Sequence, residues 1–183
     1  MTKFTVIATT LALATTLTLA AAPQPVQKQI DLKRYSGVWF EQVSLPVAFE
    51  RDCACSTAEY QLDAAGGYLK IRNECYYSPE SHRGVNLKGY SKNKYNSKLE
   101  VYFGPFGSPY DIYAIGDTED YGYVMVGEPS LKNMWILSRK KQLDETTLNM
   151  LIAKAKSFGY NLDKLHKDKA DACADKPPAP TVF

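Results

Sequence analysis

From residue 37 onward the chain alternates apolar and polar positions in short runs separated by turn residues. Gly37–Leu45, Ser56–Leu62, Tyr68–Tyr76, Val85–Ser91, Leu99–Phe103, Tyr110–Ile115, Tyr121–Val126 and Met134–Arg139 each read as a strand. Gly66-Gly67 reads as the tight turn between the second and third. Eight strands at short, regular spacing indicate an antiparallel sandwich or barrel, not a parallel sheet with crossover helices. One helical period stands out, over Asp144–Phe158. Asp144 is its capping residue, Leu148, Leu151, Ile152 and Ala155 form one apolar stripe, and Gly159 ends it. Beyond Leu165 the sequence turns polar and then proline-rich, which reads as a disordered tail tied down only at Cys173. Three segments follow: residues 1–22, a domain over 23–170, and a tail over 171–183 with Cys173 as its anchor.

The first segment has a different character. Met1–Lys3 starts it with positive charge, Phe4–Ala20 is uncharged and apolar, and Ala20-Ala21-Ala22 offers small residues for cleavage before Pro23. This is the pattern of a secretory signal peptide. A membrane anchor is the competing reading, but the many threonines lower the hydrophobicity of the run and the alanines favour cleavage. Its removal leaves about 160 residues, a one-domain length. The expected location is outside the cytoplasm, in the extracellular medium or a bacterial periplasm.

Charge and composition then narrow the partners. A formal charge of +2 from 22 basic and 20 acidic residues argues against nucleic acid. Two histidines, His82 and His166, leave little imidazole for catalysis; one falls in a predicted loop and the other after the predicted helix. No Gly-x-Ser-x-Gly, phosphate loop or metal-ligand cluster is present, so no catalytic residue, metal or cofactor is expected. The 13 tyrosines fall largely on predicted strands, where aromatic residues are favoured. Export gives Cys53, Cys55, Cys75 and Cys173 the meaning of two disulfides. Cys53 and Cys55, only two residues apart, are not expected to bond each other, so each pairs with one of the other two.

In a small antiparallel barrel one face of every strand points inward, and eight strands leave room for packed side chains or one small ligand. Leu69, Ile71 and Asn73 alternate with Lys70, Arg72 and Glu74, and Leu99, Val101 and Phe103 alternate with polar neighbours. Alternation alone does not tell a solid core from a cavity.

Particular motifs do. Gly37-Val38-Trp39, following Leu32–Ser36, resembles the Gly-x-Trp entry motif of the lipocalins with its short helical turn. Trp135-Ile-Leu-Ser-Arg139 resembles the last-strand motif of that family. Leu99–Ile115 and Phe158-Gly-Tyr-Asn161 are similar to the bacterial outer-membrane branch, and Cys55–Leu62 to the apolipoprotein branch. The resemblance covers about residues 31–165 and implies an all-β, eight-stranded antiparallel up-and-down barrel with one C-terminal helix packed outside. It implies that Gly37, Trp39 and Arg139 are structural, with the Arg139 guanidinium across Trp39 at the closed end. The family's middle motif is here the longer Gly116–Tyr121 turn, which belongs at that same end. It also implies Cys55–Cys173, leaving Cys53–Cys75; the swapped set stays open at this level.

What the family resemblance implies for function is the carriage of a small hydrophobic or amphiphilic molecule: a fatty acid, lysophospholipid, retinoid, steroid or pigment. Strand parity carried onto the barrel gives a lining of Ala58, Tyr60, Leu69, Ile71, Asn73, Leu87, Leu99, Val101, Phe103, Tyr110, Ile112, Val124, Trp135 and Leu137. Tyr60, Asn73, Tyr110 and Glu41 are its oriented polar groups. Leu45–Asp52, Tyr76–Pro79 and Phe106–Pro109 are the expected mouth loops, with Pro46, Val47 and Phe49 either covering the opening or touching a membrane surface. Two readings compete: a lipocalin-fold enzyme of isomerase or epoxide type using a cavity thiol such as Cys75, and an interaction or inhibitor module with a filled barrel. Whether the protein is a monomer or a dimer is not encoded in these features.

Overall fold

The structure is a computed structural model that describes residues 22–180. The signal segment expected over 1–22 lies outside the described residues except for Ala22. A one-turn helix, α1 (Leu32–Tyr35), is followed by β1 (Gly37–Leu45), β2 (Cys55–Asp63), β3 (Tyr68–Ser78), β4 (Ser81–Ser91), β5 (Lys98–Phe103), β6 (Phe106–Ile115), β7 (Tyr123–Gly127) and β8 (Met134–Ser138). Each pairs antiparallel with the next, and β8 and β2 both pair with β1, which closes an eight-stranded up-and-down barrel. The helix α2 (Glu145–Ser157) lies outside it, with β9 (His166–Lys167) beyond.

Hydrogen-bond chemistry at their ends explains both helices. The Asp31 carboxylate accepts from the Lys33 and Arg34 amides and caps α1. Asp144 does the same for α2 through Thr147, and Gly159, at φ +93°, turns the chain away after it. Leu148, Leu151 and Ala155 of α2 are buried against Val43, Leu45, Tyr113, Met125, Met134 and Ile136 on the outer face of the barrel.

Two irregularities let one strand serve both layers. β1 shifts register between Glu41 and Val43, so Trp39 and Glu41 face the interior whereas Val43 and Leu45 face α2. β6 shifts between Ile112 and Ala114, so Tyr113 and Ala114 both pack toward α2 while Ile115 returns to the interior that Tyr110 and Ile112 face. A strict alternation would have placed Val43 inside.

The structure corrects three local expectations. Tyr76–Pro79 is not a free mouth loop: β3 and β4 run as an extended hairpin to Ser78 and Ser81, Tyr76 is fully buried, and His82 is a strand residue. Phe106–Pro109 belongs to β6, leaving only Gly104-Pro105 as the turn. The segment after Leu165 is structured, not loose. β1 and β2 pair only from Gly37↔Tyr60 to Phe40↔Thr57 and then diverge. β9 pairs with Val43 and Ser44, the Asp168 amide donates to Gln42 O, and the Lys169 amide donates to Ala54 O. This strap fills the gap in the wall. Cys55–Cys173 holds its far end, with Cα atoms 5.4 Å apart, and Cys53–Cys75 joins the first loop to β3.

Candidate functional site

The closed end is a plug. Trp39 is fully buried, its indole N–H donates to Tyr35 O at 3.0 Å, and the Arg139 guanidinium lies 3.7 Å from the centre of its ring. Arg139 donates to the carbonyls of Arg34, Tyr35, Ser36, Val38 and Asp120, all within 2.8–3.0 Å. Gly37 makes this approach possible: it sits at φ +99°, and a side-chain carbon there would lie 3.4 Å from Arg139 Nη1. The long Gly116–Gly122 turn does reach this end. Asp120 O and Gly122 O accept from Arg139, and Tyr121 is buried beneath the Arg34 guanidinium, which stands 3.9 Å from its ring centre.

Above the plug lies a cavity of about 230 Å³ that opens at the other end of the barrel. The structure brings together Ala58 and Tyr60 from β2, Ile71 and Asn73 from β3, Leu87 from β4, Val101 and Phe103 from β5, Tyr110 from β6, and Trp135 and Leu137 from β8. Four residues of the expected lining are absent from it. Leu69, Leu99, Ile112 and Val124 have the right parity but lie deeper, packed with Trp39, Tyr35 and Tyr121 in the solid core. Parity reports which face a side chain occupies, not its height along the barrel.

The floor of the cavity is a chain of hydroxyls: Tyr35 to Tyr110 at 2.9 Å and Tyr110 to Tyr60 at 2.9 Å. Burial pushes all three phenols up, Tyr60 to about 12, so the floor is uncharged.

One side of the mouth is acidic. Glu41 reaches it from the β1 bulge, and Glu50 comes from a short 3-10 turn, Ala48–Glu50, in the first loop. Glu50 Oε2 accepts from the Trp135 indole at 2.8 Å. Behind Glu41 stands Asp168 of the strap, whose Oδ2 accepts the Ser56 amide and whose Oδ1 lies 3.4 Å from His166 Nε2. Burial first, and then the Asp168 and Glu50 charges, push the Glu41 carboxyl well up. Burial likewise raises Glu50, against the pull of the Trp135 bond, and raises Asp168. Glu128 also lines the cavity, with its carboxylate already taken by Ser130 and Asn133.

Glu50 and Asp168 had no periodic signal to reveal them, since one lies in an irregular loop and the other in a two-residue strand's wake. Val126, Ser56 and Ser108 share parity with residues already assigned inward and were legible in principle. Around the opening, Val47 lines the cavity and Pro46 and Phe49 are half-buried, so this loop folds over the mouth. Phe103 and Phe106 at the β5–β6 turn are 60% and 75% exposed. Among the described residues no group of three or more His, Cys, Asp or Glu could hold a metal ion. No helix of these residues is long and apolar enough to cross a membrane.

The geometry has close counterparts. The lipocalin-like domain model matches residues 30–170. Temperature-induced lipocalin-1 of Arabidopsis thaliana is 31% identical over 161 residues, 84% of each chain. The outer membrane lipoprotein Blc of Vibrio cholerae is 30% identical over 138 residues, 74% of this chain and 80% of that one. Apolipoprotein D of Mus musculus is 31% identical over 161 residues, 82% of each. Among solved structures, insecticyanin from the tobacco hornworm Manduca sexta shares the fold, with a TM-score of 0.59 at 22% identity over 86% of this chain and 90% of that one.

Proposed function

The chain belongs to the lipocalin family, and from that premise we propose that it is an exported carrier which holds one small hydrophobic or amphiphilic molecule in its barrel. The observation that carries this reading is the cavity itself, apolar on most of its wall, plugged at one end and open at the other. Its residues come from all eight barrel strands, so the whole fold converges on it. Fatty acyl chains, lysophospholipids, retinoids and flat pigments are the ligand classes that suit such walls. In this reading Ile71, Leu87, Val101, Phe103 and Leu137 hold the apolar body, and Tyr60, Asn73 and Tyr110 orient its polar part. Trp135 reports its arrival. Leu69, Leu99, Ile112 and Val124 support the floor.

Export rests on the signal-like start and on two disulfides of a kind that oxidising compartments maintain. Phe103 and Phe106 give the rim an apolar edge through which the open end contacts a membrane surface. A catalytic role has less support: the strand thiol that such chemistry would use, Cys75, is bonded to Cys53.

Mass spectrometry of an organic extract from natively purified protein tests the proposal. The expected result is a hydrophobic species in near-stoichiometric amount, or stoichiometric uptake of an apolar dye by protein purified empty. An empty extract combined with no dye uptake would overturn it and favour an interaction module with a filled barrel.

A further inference from the structure

The cavity has a charge character that its apolar walls conceal. Its ionisable side chains, apart from the two tyrosines, are Glu41, Glu50 and Glu128, and no Lys, Arg or His lines it among the described residues. Glu128 is committed to Ser130 and Asn133, and Glu50 keeps one oxygen for the Trp135 indole. Glu41 is different. It is 4% exposed, it borders the cavity, and its Oε1 has no hydrogen-bond partner. Three further buried atoms of lining residues, on the neighbouring strands β2 and β3, also lack partners: Ser56 Oγ, Thr57 Oγ1 and Asn73 Oδ1.

Orphaned polar atoms in a buried site are costly unless something arrives to satisfy them. The unmatched carboxyl and amide oxygens here are acceptors, so the missing partner is a donor. The surrounding charge selects further. A ligand carboxylate entering this mouth would crowd a fourth acid against Glu41, Glu50 and, behind them, Asp168, whose ionised forms burial already disfavours, with no cation in the wall to offset it. An ammonium group brings positive charge and up to three N–H donors to the same place. Burial and the neighbouring acids keep Glu41 well above the usual carboxylate range, and a bound cation removes that frustration by favouring the ionised carboxylate.

We infer that the ligand class of this cavity is an amphiphile headed by a protonated amine, with the ammonium seated between Glu41 and Glu50 and the apolar body below it. This rests on the carrier reading and deepens it. It also sets the fatty acids among the proposed ligands apart, since their charge is of the wrong sign.

Displacement of the neutral apolar probe N-phenyl-1-naphthylamine at pH 7 by dodecylamine, dodecan-1-ol and dodecanoate tests the assignment with the apolar body held constant. The expected order is amine, then alcohol, then carboxylate, with dodecylamine at least tenfold tighter than dodecanoate. Glu41→Gln should reduce the amine-to-alcohol affinity ratio about tenfold, with the thermal unfolding midpoint of the variant as the folding control. Glu50→Gln should reduce the same ratio and supplies the result if Glu41→Gln does not fold. Dodecanoate binding as tightly as the amine, or a ratio unchanged in the variants, would overturn the inference and leave the carrier reading intact. Failure of all three ligands to displace a probe that binds would overturn the inference too. A probe that does not bind at all would overturn the carrier reading with it.

Discussion

At the closed end of the barrel Arg139 spends its guanidinium on five backbone carbonyls and the face of Trp39. At the open end Glu41 is buried more deeply than Arg139, yet keeps an oxygen with no partner. The same strand, β1, supplies Trp39 to one end and Glu41 to the other, two residues apart. The contrast separates two uses of buried polarity. Where every donor and acceptor is matched inside the protein, the polar groups specify structure. Where acceptors are left open and face a cavity, the match is to be supplied from outside.

Substitutions at the two ends should therefore have opposite signatures. Leu99 is in the core beneath the cavity and Leu87 is a half-buried part of its wall. Leu99→Ala should cost about 2–5 kcal/mol in urea unfolding and leave probe affinity within about twofold. Leu87→Ala should cost about 1 kcal/mol, since less of the side chain is buried, and weaken the probe about fivefold or more. Equal effects on binding would erase the boundary drawn between floor and wall.

Arg139→Ala removes a cation–π contact worth about 0.5–2 kcal/mol and charged hydrogen bonds worth about 1.5–3 kcal/mol each before compensation by water. A net loss of about 2–3 kcal/mol is expected, seen as a lower melting temperature with ligand affinity preserved. Loss of affinity at unchanged stability would move Arg139 from the plug to the site.

The acidic side of the mouth should reveal itself through pH. Burial pushes the Asp168 carboxyl up to about 7. The folded state therefore binds its proton more tightly than the unfolded state does. That contribution is fully present below the unfolded value near 4 and is lost as pH rises through the folded value. Stability of the wild type should fall between about pH 4 and 7, and Asp168→Asn, which keeps an acceptor for the Ser56 amide, should flatten the fall by about 1 kcal/mol or more. Denaturant midpoints at pH 5 and pH 7.5 check it; an equal decline in both proteins would exclude Asp168 as the source.

Much of the barrel was legible because β-alternation and turn residues are local signals. The boundaries of β1 and the caps of α2 followed from single residues, Gly37, Asp144 and Gly159. The far end of the β3–β4 hairpin was not legible, because Ser81-His82-Arg83-Gly84 offers no apolar position to alternate and Ser78-Pro79-Glu80-Ser81 reads as loop. The strap at β9 was hidden for a related reason. Two paired residues have no period, and their place is set by the divergence of β1 from β2, a property of the assembled sheet. In the cavity, parity identified the inward face of each strand, but depth depends on where Trp39 and the tyrosine chain end the core. The acids Glu50 and Asp168 enter through irregular segments that only the folded barrel brings beside Glu41.

The central claim is that the barrel encloses a site for an apolar body, and Ala58 provides the sharpest probe of it because it is small, buried and on the cavity wall. Titration of wild type and Ala58→Phe with N-phenyl-1-naphthylamine, followed by the emission of the probe, reads the site directly. The expected result is saturable one-to-one binding to the wild type and at least tenfold weaker binding to Ala58→Phe at comparable thermal stability. Equal binding by the two proteins would place the probe on the surface and contradict an enclosed site.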